Sequence, residues 1–98
     1  MRVLHLTLKR KWFDMIASGE KKEEYREIKP YWQARLCCNF PYVHAAKDFD
    51  IVVFKNGYGK NAPEIRVKWL GMSVDYGKKI WGAEYNKEYF VIKLGEKL

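Results

Sequence analysis

Between Val3 and Leu8 the side chains alternate, with Leu4, Leu6 and Leu8 on one face and Val3, His5 and Thr7 on the other. A period of two predicts a half-buried strand close to the first residue. Trp12, Phe13, Met15 and Ile16 then recur at helical spacing. They predict an amphipathic helix, capped by Thr7 at its start and ended by Ser18-Gly19. Pro30 is placed to open a second, short helix running to Leu36. Residues 37–50 show no period and are broken by Pro41. The apolar run Ile51-Val52-Val53-Phe54 predicts a strand buried on both faces, and Asn56-Gly57 a turn after it. From Glu64 to Trp69 alternation returns, with Ile65, Val67 and Trp69 inward, so the two strands make a hairpin with a glycine-rich loop. Residues 71–87 read as a long polar connection. A last strand runs from Tyr89 to Leu94, with Phe90, Ile92 and Leu94 sharing a face.

The stretch Gly19 to Glu27 fits none of these patterns at first sight. Its Glu and Lys content favours a helix. Helical spacing, however, would set Glu20 against Glu24, Lys22 against Arg26 and Glu23 against Glu27, each like-charge pair costing about 0.2–0.5 kcal/mol. As a strand the same residues sort cleanly. Glu20, Lys22, Glu24 and Arg26 alternate in sign along one face, and Tyr25 points the other way between Glu23 and Glu27. The expectation is a short, charged strand entered through a turn at Gly19.

These elements describe one α+β domain over residues 1–98: five strands, one clear helix and one short one. For so few residues the economical arrangement is a small, strongly curved sheet or barrel closed by helices. Nineteen Lys and Arg against twelve Asp and Glu give a net charge of +7. That excess favours an anionic partner, most often nucleic acid, over mere solubility charge. Cys37 and Cys38 are the two cysteines and adjoin each other, a spacing unsuited to a disulfide or a zinc site, and His5 and His44 do not complete one. No metal and no cofactor is expected. Reduced cysteines without a leader segment point to the cytoplasm, and no apolar run has the ~18 residues a membrane span requires.

Candidate chemistry lies in four places. Lys9-Arg10-Lys11 open the first helix, where cations oppose the helix dipole, so the spot holds an anion or is a solvated basic turn. Tyr31 and Trp32 stand beside Lys29 and Arg35, a combination that stacks a base and neutralises its phosphate, with core packing of Trp32 as the alternative. Asn56, Tyr58, Lys55 and Lys60 surround the hairpin loop, suited to a phosphate or ribose or else forming a plain turn. The late connection carries Tyr76, Lys78, Lys79, Trp81, Glu84 and Tyr85; long loops in small domains are usually functional or disordered, and its rings argue against disorder.

The run Gly19-x-Lys21-x-x-Glu24-x-Arg26, following an amphipathic helix, resembles the signature of the ASCH (activating signal cointegrator homology) domain family, whose members are PUA-like small β-barrels. The likeness spans nearly the whole chain, since the opening strand, helix, signature strand, hairpin and closing Tyr-Phe-Val-Ile-Lys strand follow the family's order. It implies a PUA-like barrel of five to six strands with one to two helices packed against it. It also implies a cleft lined by the signature residues and recognition of RNA or a modified nucleoside. Some members are small amidohydrolases of N4-acylated cytidine that use a Lys and a Thr of the signature with a downstream Glu. Lys21 matches their Lys, Glu24 stands where their Thr would be, and Glu84 is the candidate for their Glu. The chain's single threonine is Thr7.

Two uses of the signature follow. In a binding site, Arg26 makes a bidentate contact to phosphate or a base edge, Lys21 adds charge, Glu24 orients both, and Lys9, Tyr31, Trp32, Asn56 and Tyr58 surround them. In a hydrolase, Glu24 is general base and Lys21 donates a proton, with Glu84 assisting. A plain salt-bridge ladder is the third possibility, and a protein-interaction module using Trp81 and Tyr85 is a further reading of the late loop. The leading expectation is an RNA- or nucleotide-binding cleft centred on Lys21, Glu24 and Arg26.

Overall fold

The computed structural model describes residues 1–38 and 45–98, so Pro41 and His44 lie outside the described residues. Strand β1 (Val3–Leu8) turns Leu4, Leu6 and Leu8 into the core and leaves His5 outside. Helix α1 (Arg10–Ala17) follows at once and buries Phe13 and Ile16. Thr7 does not cap it. The N-cap is Lys9, with no side-chain cap bond, because the strand's pairing holds Thr7 in register with Lys55 two residues too early. Ser18 closes the helix, and Gly19 takes the left-handed φ of +85° that redirects the chain.

β2 is shorter than the charge pattern predicted, covering Glu23–Arg26. Alternation starts at Glu23 rather than Glu20: Lys22 is exposed while Lys21 is buried. Residues 20–22 are a bridge, not a strand. There the Lys21 N–H donates to Met15 O on α1, and Lys22 O accepts from Leu94 N–H. α2 (Pro30–Leu36) begins at its proline and buries Leu36. The aperiodic segment that follows contains a small ladder, β3 (Cys37–Cys38) against β4 (Ala45–Ala46). Cys37 and Cys38 are not joined in a disulfide, and burial pushes the Cys37 thiol pKa up.

β5 (Ile51–Asn56) has Val52 and Phe54 fully buried, and the hairpin brings β6 (Glu64–Tyr76) beside it with Lys55 opposite Glu64. β6 runs six residues beyond Leu70, through a segment predicted to be loop. At Gly71, with φ +130°, its register against β7 (Glu88–Lys97) shifts, and the inward positions change from Val67 and Trp69 to Met72. That bulge flips the parity on which the prediction relied. A 3₁₀ turn (Lys79–Trp81) lies in the connection to β7.

Five of the described strands form a mixed sheet in the order β1-β5-β6-β7-β2, curled into a half-barrel, with β1 parallel to β5 and the other pairs antiparallel, while β3 and β4 pair separately. β1 and β2 are its edges. The main core fills the concave side between the sheet and the two helices, and includes Leu36, Phe54, Phe90 and Ile92. A second cluster of Tyr25, Trp81, Ala83, Tyr89 and Val91 lies on the opposite face of β2 and β7.

Candidate functional site

Register decides where the charged residues of β2 go. Glu24 is opposite Ile92 and Arg26 opposite Phe90, both main-core residues. Directly paired residues share a face, so Glu24 and Arg26 point to the concave side of the sheet at its open edge. Tyr25, opposite Val91, faces the second cluster.

A carboxylate in that position must be paired and hydrogen-bonded to be tolerated. Glu24 is 4% exposed. Its Oε1 accepts from Lys21 Nζ at 2.5 Å and from the Tyr25 N–H at 3.1 Å, and its Oε2 accepts from Arg26 Nη1 at 2.8 Å. Arg26 Nη1 also donates to Tyr25 O at 2.8 Å, and Nη2 reaches Thr7 O at 3.4 Å, tying edge strand β2 to edge strand β1. Lys21, 2% exposed, lies with its ammonium 5.2 Å from the Trp12 ring centre and 5.6 Å from that of Tyr25. Burial lowers its pKa below the usual 10.5; the Glu24 carboxylate opposes that shift and Arg26 adds to it.

This array forms the floor of a cleft of about 710 Å³, within the range of ligand sites. β1 contributes His5 and Thr7 to it, α1 contributes Lys9 and Trp12, and α2 contributes Tyr31, Trp32 and Arg35. The Trp32 ring centre is 5.1 Å from the Arg26 guanidinium and 5.7 Å from that of Arg35, and Tyr31 meets it edge-on at 4.8 Å.

The far wall is the strap between β6 and β7. Two tyrosine hydroxyls pin it: Tyr25 Oη accepts from the Lys78 N–H and Tyr89 Oη from the Glu84 N–H, each at 2.9 Å. Tyr25 Oη in turn donates to Glu23 Oε1 at 2.8 Å, and burial raises the Tyr25 pKa far above its usual 10.0. Two glycines let the strap lie close. A Cβ at Gly77 would meet Ala83 Cβ at 2.6 Å and Tyr25 Cζ at 2.7 Å, and one at Gly82 would meet the Trp12 ring at 3.1 Å. Trp81 is buried in this wall, its ring 4.4 Å from Lys78 Nζ and its indole N–H without an acceptor. Lys87 bridges Glu27 and Glu84 at 3.6 and 3.5 Å.

Of the residues nominated from sequence, Lys9, Lys21, Glu24, Arg26, Tyr31, Trp32, Tyr58 and Glu84 all line this cleft. Asn56 does not. It ends β5 opposite Leu8, and its N–H is committed to Pro63 O. Arg26 makes three donor contacts inside the protein, so only its remaining N–H groups are open to a ligand. Trp81 is buried in the cleft wall, and Tyr85, 95% exposed, is outside the cleft. Sequence reasoning missed Trp12 as a cleft residue, having assigned it to the core, and missed His5, Thr7, Tyr25, Lys87 and Tyr89. Only the basic run beside Trp12 was a local signal; the others arrive through register and the strap.

Among the described residues, no three His, Cys, Asp or Glu side chains gather as metal ligands, and no helix is long and apolar enough to cross a membrane. Comparison of the chain with protein-family models, curated proteins and solved structures finds no match in any of the three.

Proposed function

We propose that this protein binds RNA or a nucleotide in the cleft, as its resemblance to ASCH domains and their PUA-like frame implies. One observation carries the reading: cations and stacking surfaces converge on one concavity. Trp32 has two guanidinium groups near its ring, Tyr31 beside it, and Lys9 and Arg35 in the same cleft with no carboxylate partner among the described residues. A base stacks on such rings and its phosphate is neutralised by the unpaired cations. Lys21, Glu24 and Arg26 act as the rigid floor, holding β2 against β1, with the remaining donors of Arg26 facing the ligand.

Binding of a short single-stranded RNA at 50 and 200 mM salt tests this. Three phosphate contacts on a single strand give a log–log slope of about −2, a loss of roughly 15–20-fold over that interval. No binding at low salt, or binding indifferent to salt, overturns the reading.

A second reading rests on the lowered pKa of Lys21 next to Glu24. It is hydrolysis of an acylated nucleoside such as N4-acetylcytidine, with Glu24 activating water and Lys21 donating the proton to the leaving amine. Burial weighs against it: the side chains are 1% and 5% exposed, and Glu24 already accepts three hydrogen bonds. The test is release of cytidine from N4-acetylcytidine. Turnover that survives Lys21→Ala or Glu24→Ala removes these residues from any such mechanism.

A further inference from the structure

The cleft continues beyond the reach of a single nucleotide. A second cavity of about 390 Å³ shares two of its residues, His5 and Arg35, with the cleft, and adds Arg2, Lys47 and Phe49. The two meet along β1, an edge strand whose only ladder among the described residues is with β5, while Ala34 and Arg35 of α2 form the facing wall. Lys21, Arg26 and Lys87 are ion-paired within the cleft, but Arg2, Lys47, Arg35 and Lys9, running from the second cavity into it, are in no ion pair among the described residues. Among the described residues no carboxylate lines the second cavity; Asp50 accepts the main-chain N–H of Arg2 at 2.7 Å. In the cleft itself the carboxylates Glu27 and Glu84 are bridged by Lys87. Among the described residues, unpaired positive charge therefore continues from the cleft as a groove along β1.

We infer that the ligand is a single-stranded RNA several nucleotides long, whose chain leaves the cleft across His5 and Arg35 and lays its following phosphates on Arg2 and Lys47. This rests on the reading of the cleft as a nucleotide site. A mononucleotide would occupy the cleft and leave Arg2 and Lys47 without a role, whereas a polyanion needs cations spaced along its path. A protein strand added to the β1 edge is the competing occupant, and it would require main-chain pairing more than charge.

The test compares a nucleoside monophosphate with a mixed-sequence RNA hexamer, on the natural chain and on an Arg2→Glu/Lys47→Glu double variant. Melting curves check that both proteins are folded, and Arg2→Lys/Lys47→Arg serves as the conservative control. The natural chain is expected to bind the hexamer at least tenfold more tightly than the monophosphate. The charge-reversed variant is expected to lose that gain, and its hexamer salt slope to fall by about 1.4, which is two contacts at ~0.7 each. The conservative variant is expected to keep the gain. A monophosphate that binds as tightly as the hexamer, or a hexamer gain that survives the double reversal, overturns the groove and spares the cleft. Absence of binding to either ligand overturns the cleft reading and the groove with it. Displacement of the hexamer by an uncharged extended peptide as effectively as by RNA also overturns the proposal, because the edge then takes a strand.

Discussion

Glu24 stands where register asks for an apolar side chain. Opposite Ile92 on the concave face, its carboxylate is tolerated because Lys21, Arg26 and the Tyr25 N–H take its oxygens. Removing the negative charge leaves two cations with no counterion, one of them 1% exposed. Glu24→Gln is therefore expected to cost about 3–5 kcal/mol in urea unfolding, as breaking a buried pair does. Adding Lys21→Met to that variant is expected to restore part of the loss, and the double-mutant cycle measures the coupling. Tyr25 gives a pH signature. Its pKa is raised in the fold, so its contribution is fully present below the unfolded value of 10.0 and is lost as pH rises past it. Tyr25→Phe, lacking the bonds to Glu23 and Lys78, is expected to be about 1–2 kcal/mol less stable at pH 7. The gap should close as pH climbs above 10, read by denaturant midpoints across the alkaline range. A gap that widens there contradicts the burial of the phenol. At this scale the sequence was only half legible. Strand alternation put Glu24 and Arg26 on one face and Tyr25 on the other, as observed. It put Lys22 with them in place of Lys21, because the bridge over residues 20–22 follows α1 and β7 and not strand geometry.

The elements were legible where period and partner agree. β1, α1 and the first half of β6 each bury one stripe that is regular in sequence, β5 is buried on both faces as its unbroken apolar run predicts, and α2 starts at its proline. The second half of β6 was hidden because the bulge at Gly71 reverses which parity faces inward, so Leu70 is 58% exposed while Met72 packs on the core. The strap was hidden for another reason. Nothing local tells that Gly77 lies against Ala83 and Tyr25, a contact made across 52 positions of chain to Tyr25. It carries a direct expectation. Gly77→Ala forces a Cβ into ring and methyl contacts below 3 Å and should cost about 1–3 kcal/mol, with looser packing of Trp81 seen as a red-shifted, more quenchable tryptophan emission. Gly59→Ala, where a Cβ meets nothing within 4 Å, is the matched control and should be near neutral. Equal effects at the two sites would mean that the strap is not held by this packing.

For the molecule as a whole, the +7 charge acts on folding and on binding with opposite signs. In the free protein like charges repel, so salt should screen that repulsion and raise the melting temperature. In the complex the same charges attract the ligand, and salt weakens the attraction. A ligand present at a hundred times its Kd stabilises the fold by about 2.7 kcal/mol, and that increment shrinks as Kd rises. Melting curves with and without an RNA hexamer, taken across a salt series, should therefore converge. The free protein's midpoint climbs, the RNA-dependent shift is largest at low salt, and the curves meet at high salt. The buried Lys21–Glu24–Arg26 array is shielded from bulk ions and should contribute little to the slope of either curve. The slope belongs instead to the unpaired cations at the cleft and along β1, and reversing Arg2 and Lys47 should flatten the binding curve and the free-protein curve together. A free protein whose midpoint falls with salt, while its RNA-dependent shift persists unchanged, would mean that contacts other than charge dominate both states.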